Sequence, residues 1–208
     1  MQENLEISKY KLDLRDKIPE VAMRLFAEQG IKNVRMDDVA HMMGISKRTI
    51  YELYHKKEDL LYEVIVKRFK EREEMMEVIA HRCKTVMEIL LEVYRIRVEE
   101  FKNTNPLFYA DMGRYPQVFE FLTDQNKRVR GKSLAFIQRG IDEGYFRSDL
   151  NYNLTGMLFD AMGQYVMEKE LYRQYTIEEI FKSFVFVSLR GICTEKGIKA
   201  IEKLIPQV

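Results

Sequence analysis

The sequence contains few of the residues on which catalytic and metal sites depend, with two cysteines, three histidines and no tryptophan in 208 residues. Cys83 and Cys193 match no disulfide framework or metal-ligand spacing, so we expect free thiols in a reducing compartment. His81 lies too close to Cys83 for both to ligate from one helical face, and no third ligand follows nearby. Serines have no accompanying His/Asp pattern, and a Gly-rich phosphate loop is missing. The sequence therefore predicts no catalytic site, no metal, no cofactor and no enzymatic activity.

Long apolar runs and a strong net charge are also lacking. No run approaches the ~18 residues of a membrane span, and the polar start MQENLEISKYK has no apolar core. We therefore expect a cytoplasmic protein without a membrane partner. The net charge is +1, so a nucleic-acid surface has to be a local patch. With 46% hydrophobic residues, the chain is able to bury a sizeable core in one or two domains.

The residues Met36–His55 have the pattern of a helix-turn-helix. Ala40 suits the close crossing of two helices, and Gly44 suits a turn that requires a positive φ. Ser46 is a good N-cap for the second helix. We expect an apolar cluster beneath both helices, formed by Val39, Met43, Ile45, Ile50 and Leu53.

The second helix of this motif is expected to present a polar face to solvent, formed by Lys47, Arg48, Tyr51 and Glu52. Such a face is typical of a recognition helix in the major groove. The positive excess of this region is concentrated in Lys47, Arg48, Lys56 and Lys57. The alternative is an ordinary helical hairpin with a glycine corner and a solvated charged face.

The stretch from Arg15 to Leu61 resembles the TetR family of bacterial transcriptional regulators. The resemblance rests on Ile18, Ala22, Phe26, Gly30, Val39-Ala40, Gly44-Ile45-Ser46, Thr49-Ile50-Tyr51, Tyr54 and Lys57-Glu58-Asp59-Leu60. It covers about a quarter of the chain, and a weaker likeness over Arg139–Phe146 extends it. Tyr54 stands where the family usually has Phe, so we expect it in the core with its hydroxyl bonded at the edge.

The resemblance implies which residues meet duplex DNA. Thr49, Tyr51 and Lys57 would hold the phosphate backbone, while Lys47 and Arg48 lie nearest the base edges, where Arg48 suits guanine. The family usually has Ser or Thr at residues 35–36; here Arg35 is the candidate phosphate contact and Asp37 the candidate cap. Glu52 either accepts from a cytosine amine or pairs with Arg48 and Lys56.

Helical periodicity throughout the chain predicts an all-α fold with an N-terminal three-helix helix-turn-helix domain and a larger C-terminal helical ligand-binding and dimerisation domain. We predict a flexible N-terminal arm over residues 1–14, a DNA-binding domain over 15–61 and the helical body over 62–208. Lys9, Lys11 and Arg15 could reach a phosphate or the minor groove, although a frayed terminus is favoured. The first helix is expected from about Asp16, with Pro19 in its first turn.

Soft and aromatic side chains in the body are candidates for the lining of an apolar ligand pocket, with Arg97 or Glu99 as the polar contact. The candidates are Met87, Tyr94, Arg97, Phe108, Met112, Phe119 and Phe159. Each residue taken separately is better explained as plain core. The resemblance, because bodies of this family commonly hold an inducer pocket, favours the pocket without choosing its lining.

The last two long helices, Tyr152–Tyr172 and Thr176–Thr194, are predicted to form a two-fold homodimer interface. The second is apolar nearly all round, which indicates burial on more than one side. The candidate interface residues are Gly156, Gly163, Phe181, Phe184, Val185, Ser188 and Ile192. The alternative is that both faces pack inside a monomer.

Together these features predict a TetR-like repressor that binds double-stranded operator DNA as a homodimer and is released by a small-molecule effector of unknown identity. Two alternatives remain within regulators, an activator and a DNA-binding protein controlled by a protein partner. A third alternative is a helical small-molecule-binding protein with a vestigial DNA-binding head.

Overall fold

The structure is a computed structural model that describes residues 2–204, excluding the side chains of residues 2–9, 126, 127, 130, 203 and 204. The described residues form helices joined by short loops, with an isolated antiparallel bridge between Phe146 and Cys193. The α-helices are α1 Gln2–Gln29, α2 Met36–Met43, α3 Lys47–Leu53, α4 Lys57–Arg82, α5 Val86–Lys102, α6 Pro106–Met112, α7 Pro116–Asp142, α8 Tyr152–Glu168, α9 Ile177–Ile180, α10 Val187–Ile192 and α11 Glu195–Leu204. None of the helices within 2–204 is both long and apolar enough to cross a bilayer.

The chain divides into two compact units. The first unit is Met1–Glu74 with Asn103–Leu122, and the second unit is Met75–Lys102 with Thr123–Val208. The fold class is therefore all-α, as predicted. The units do not coincide with the predicted domains 15–61 and 62–208, because α6 and the start of α7 pack with the first unit.

Helix α1 is longer than its sequence suggested. It runs from Gln2, so the arm predicted as flexible over residues 1–14 is helical from its second residue. No Gly or Pro interrupts residues 2–15, most of which favour helices, and Leu14 is buried. Pro19 accordingly lies inside the helix rather than in its first turn.

Pro19 has no N–H, so the carbonyl of Arg15, four residues earlier, loses its usual helical donor. The Tyr54 hydroxyl donates to this carbonyl at 3.5 Å. Tyr54 is otherwise buried, as predicted, and burial raises the pKa of its phenol well above the ordinary value. The Tyr54 hydroxyl therefore replaces the donor that Pro19 cannot supply to the Arg15 carbonyl.

The core of the first unit lies between α1, α2, α3 and the start of α4. Its fully buried side chains include Ile18, Ala22, Phe26, Val39, Ala40, Ile50, Leu60, Leu61 and Val64. Of the cluster expected beneath the helix-turn-helix, Val39 and Ile50 are buried, whereas Met43, Ile45 and Leu53 are partly buried against the same core. This packing fixes the orientation of α3 within the first unit.

Helix α6 holds the loop between α1 and α2. Gly30 ends α1 at φ 83°, and a Cβ there would lie 2.9 Å from Leu107 Cβ. Asp111 is only 5% exposed, and its carboxylate accepts the Lys32 N–H at 2.8 Å. The Asn105 side chain caps α6 by accepting the Leu107 N–H. The loop that leads into the helix-turn-helix is therefore fixed by residues from the middle of the chain.

The second unit has its own core, whose buried members are Val86, Met87, Phe146, Leu189, Ile192, Cys193 and Ile201. Burial raises the pKa of the Cys193 thiol to about 11, which keeps it protonated at neutral pH. Thr176 and Glu179 form a capping box at the start of α9. The helix predicted over 176–194 is divided, because residues Phe181–Phe186 form a π-helical segment between α9 and α10.

Candidate DNA-binding site

The turn between α2 and α3 has the geometry that its sequence predicts. Gly44 adopts φ 66° at the end of α2, and the Ile45 N–H donates to the Ala40 carbonyl at 3.0 Å. Ser46 caps α3, since its hydroxyl accepts the Thr49 N–H at 3.1 Å. The backbone N–H groups at both ends of the turn therefore have hydrogen-bond partners within the motif itself.

The start of α2 differs from the prediction. Asp38 rather than Asp37 accepts the Arg35 N–H, at 2.7 Å. Asp38 lies at the third helical position, where a carboxylate reaches back to the N-cap amide. Arg35 is exposed, so its predicted phosphate contact is sterically accessible and stays a prediction.

The polar face of α3 is exposed. Arg48 and Lys47 have 88% and 73% of their side chains exposed, and Tyr51 is 45% exposed. Glu52 lies beside them, one turn after Arg48. The opposite face carries the buried Ile50. Helix α3 therefore presents these four predicted residues on one accessible surface, which we call the recognition face.

Carboxylates pair with both cations of the recognition face. Lys47 donates to Asp37 of α2, and this hydrogen bond raises the pKa of Lys47. Arg48 donates through Nε to Glu52 Oε1 at 2.9 Å, and Lys11 donates to Glu52 Oε2 at 3.1 Å. These two hydrogen bonds, Arg48 first, lower the pKa of Glu52. The expected pairing of Glu52 with Arg48 is present, whereas Lys56 pairs with Asp59 instead, at 3.9 Å.

Thr49 is half-buried at the start of α3. Its hydroxyl shares a 2.8 Å hydrogen bond with the Ser46 hydroxyl. A hydroxyl is both donor and acceptor, so this bond is compatible with the predicted phosphate contact.

The Lys57 side chain forms hydrogen bonds to backbone carbonyls within the first unit. Its ammonium donates to the carbonyls of Ile31 and Val34 at 3.0 Å each and of Lys32 at 3.4 Å. Burial lowers the pKa of this lysine. The three contacts use the donors that a phosphate would need, so Lys57 stabilises the α1–α2 loop in this structure.

We expect Lys57→Met to lower the free energy of unfolding of the first unit by about 1 kcal/mol, because it leaves loop carbonyls without their charged donor. Lys56→Met is the matched control, since Lys56 is exposed and its ion pair with Asp59 is long. Urea unfolding of both variants checks the expectation. Equal midpoints would mean that water replaces the Lys57 contacts without loss.

The seven candidate pocket residues are divided between the units. Phe108 and Met112 pack in the first-unit core, and Phe119 of the same unit is 60% exposed. Those in the second unit are Met87, Tyr94, Arg97 and Phe159. Their grouping into one pocket stays a prediction.

Within the second unit, Met87 is a core residue and Arg97 pairs with Glu100 at 3.3 Å. Tyr94 lies in an aromatic cluster with Phe186 and Phe181, at ring-centroid distances of 4.8 and 5.8 Å. Two of these rings belong to Phe181 and Phe186, the first and last residues of the π-helical segment, which sequence periodicity does not indicate.

The candidate interface residues of α8 are open. A Cβ added at Gly156 or Gly163 would meet nothing within 4 Å. In the following segment Phe181, Phe184, Val185 and Ser188 are half-buried. Ile192 is predicted at the dimer interface, but this prediction is wrong. Ile192 is only 8% exposed and packs within the core of the second unit, so it faces its own chain.

Sequence reasoning misses the roles of two residues. The sequence predicts Asp37 only as a cap, and it indicates no role for Asp111. Asp37 lies ten positions before its partner and Asp111 lies 79 after its own, so no local pattern links these pairs. Within residues 2–204, no group of three His, Cys, Asp or Glu side chains is arranged to hold a metal ion.

Comparison with known proteins agrees with this geometry. The family model described as bacterial regulatory proteins, tetR family, matches residues 18–64. The transcriptional repressor KstR2 of Mycolicibacterium smegmatis is 24% identical over 192 residues, covering 89% of this chain and 93% of the repressor. An HTH-type transcriptional regulator of Staphylococcus aureus is 41% identical over 51 residues, covering 24% of this chain and 28% of that regulator.

A solved structure extends the likeness to both units. A putative transcriptional regulator from Saccharomonospora viridis, solved in complex with choline, superposes with a TM-score of 0.68. It is 21% identical, and the match covers 88% of this chain and 99% of that one. The helix-turn-helix of residues 36–53 therefore lies within the region that matches the family model of bacterial regulatory proteins, tetR family, and the rest of the chain is similar to regulators of this fold.

Proposed function

We propose that this protein is a cytoplasmic transcriptional repressor that binds operator DNA as a homodimer and is released by a small molecule. The observation that carries the proposal is the recognition face of α3, which is exposed and held at a fixed angle by the buried core beneath it. The likeness to a named repressor supports the direction of the regulation.

The recognition face provides both kinds of contact that operator binding needs. Arg48 uses Nε for Glu52, so its two terminal nitrogens remain chemically suited to O6 and N7 of a guanine. Tyr51 and Thr49 of the same helix would bind phosphates, and Arg35, which is exposed, would add a cation at the start of α2. Phosphate contacts would fix register and affinity, while Arg48 and Lys47 would supply sequence preference.

Selection of duplexes from a random pool, followed by footprinting and a gel shift on the DNA upstream of the protein's own gene, tests the proposal. We expect a two-fold symmetric site with half-site centres about 34–36 Å apart or a multiple of a helical turn. Recovery of unrelated sequences with no common motif would contradict it.

Helix α8 supports the homodimer. It has no buried residue, and an exposed apolar face runs along it at helical spacing. The exposed members of this face are Leu154, Met157, Leu158, Ala161 and Tyr165. A contiguous face of this kind in a regulator indicates a partner surface, and a second copy supplies an identical one.

We expect light scattering at micromolar concentration to give twice 24.9 kDa. Leu158→Lys should weaken the dimer about tenfold or more, because it places a charge within the apolar face. Leu134→Lys on α7 is the matched control, since Leu134 is also exposed but lies on another helix. A mass of 24.9 kDa for the unmodified chain would exclude the dimer.

Release by a small molecule requires that the ligand distinguish two arrangements of the protein. Helices α4 and α7 each contribute residues to both units, so they are continuous connections between the DNA-binding unit and the second unit. The choline complex of a structural neighbour supports an effector site in this fold. A coupling of about 1–3 kcal/mol would weaken operator binding roughly 5–150-fold, and operator would weaken ligand binding equally.

Mass spectrometry of small molecules retained by the purified protein would identify the effector. Calorimetry with and without operator then measures the coupling. Equal ligand affinities in the two titrations would show that the ligand does not control release.

A further inference from the structure

Together with Asp37 of α2, the recognition face has no net charge. Lys47 is balanced by Asp37, and Arg48 is balanced by Glu52. Attraction to the phosphate backbone depends on the positive charge that a surface offers in excess of its own carboxylates. Cations from outside α3 are therefore needed where this helix meets DNA.

Lys11 is such a cation. It lies on α1, 41 positions before Glu52, and its Nζ is 3.1 Å from Glu52 Oε2. Arg48 Nε donates to the other oxygen of the same carboxylate, Glu52 Oε1, at 2.9 Å. One carboxylate thus holds two cations, which gives the three side chains a net charge of +1 and places Lys11 at the edge of the recognition face.

The helical start of α1 makes this placement possible. Lys11 belongs to the part of α1 that precedes the family match at residue 18. Its side chain is 46% exposed, so a phosphate is able to approach it while it stays near Glu52. Without Lys11, the Glu52 carboxylate would be balanced by Arg48 alone, and the edge would offer DNA no surplus charge.

We propose that Lys11 binds a backbone phosphate beside the half-site that α3 contacts, and that Glu52 is the positioning residue that holds Lys11 there. This proposal rests on the proposed function, because it requires DNA binding by the recognition face. It adds the N-terminal part of α1 to the DNA-binding surface.

The test measures the salt dependence of binding to a duplex selected by the protein itself, by fluorescence anisotropy. Lys11→Ala should reduce the slope of log K against log salt by about 0.9, the value of one phosphate contact on duplex DNA. Lys11→Arg keeps the cation and should keep the slope. Lys17→Ala is the matched control on the same helix, because Lys17 is exposed and pairs with Asp13 at 2.8 Å.

A double-mutant cycle tests the role of Glu52. Glu52→Gln removes the carboxylate charge and keeps the shape, so Lys11 loses its anchor. In the Glu52→Gln background, Lys11→Ala should therefore leave the slope almost unchanged. Equal slope changes in the two backgrounds would remove the positioning role from Glu52.

The outcomes separate this inference from the proposed function. If the unmodified protein binds the selected duplex specifically and Lys11→Ala has the slope of the unmodified protein, Lys11 binds no phosphate and the inference is wrong. If the unmodified protein prefers no duplex, the proposed function fails, and the inference fails with it. Circular dichroism of each variant verifies that its helices are intact.

Discussion

Gly30→Ala should destabilise the first unit by about 2–5 kcal/mol. Gly30 has φ 83°, a conformation that costs an L-residue about 1–2 kcal/mol. The added Cβ would also lie 2.9 Å from Leu107 Cβ, so α6 would have to move, and such overpacking costs about 1–3 kcal/mol. Movement of α6 would shift Asp111 away from the Lys32 amide that it holds.

Gly44→Ala is the matched control for this prediction. Gly44 also has a positive φ, 66°, but a Cβ there meets nothing within 4 Å. It should therefore lose only the conformational cost, about 1–2 kcal/mol. Urea unfolding, with hydrogen exchange at the Lys32 amide, compares the two variants. Equal losses of unfolding free energy in the two variants would mean that a Cβ at residue 30 causes no steric overlap with α6.

Arg48→Ala should reduce the preference for the selected duplex over a scrambled duplex by about 1–3 kcal/mol, roughly 5–150-fold. The guanidinium is the group of the recognition face best suited to a bidentate guanine contact, and its Nε is already oriented by Glu52. Removing it leaves the phosphate contacts in place. Affinity for the scrambled duplex should therefore change little.

Lys56→Ala is the control for charge alone, because Lys56 is an exposed cation beside the same motif. It should weaken binding to both duplexes by the same factor. If Arg48→Ala also weakened both duplexes equally, Arg48 would be a phosphate contact and sequence preference would have to come from another residue.

Local features of the site were predictable from the sequence. Gly44 and Ser46 act within a few residues of their own positions, and the alternation of buried and exposed residues around Ile50 follows helical periodicity. The i,i+4 pair of Arg48 and Glu52 is local in the same sense. Such features depend on the helix alone, so a sequence pattern contains them.

Contacts between distant residues were not predictable in this way. Periodicity does not show that Asp111 holds the α1–α2 loop or that Lys11 reaches Glu52, because charges can pair across any sequence separation. The resemblance implies a phosphate contact for Lys57, whereas in the structure its ammonium lies among three loop carbonyls. Ile192 has the same apolar character whether it faces a partner or its own core.

Anisotropy titration of the unmodified protein with its selected duplex and with a scrambled duplex of equal length, at one salt concentration, tests the central claim most directly. The claim is that the exposed face of α3 recognises an operator sequence. We predict binding to the selected duplex that is at least about 10³-fold tighter. Equal affinity for the two duplexes would contradict the claim and leave only charge-driven binding.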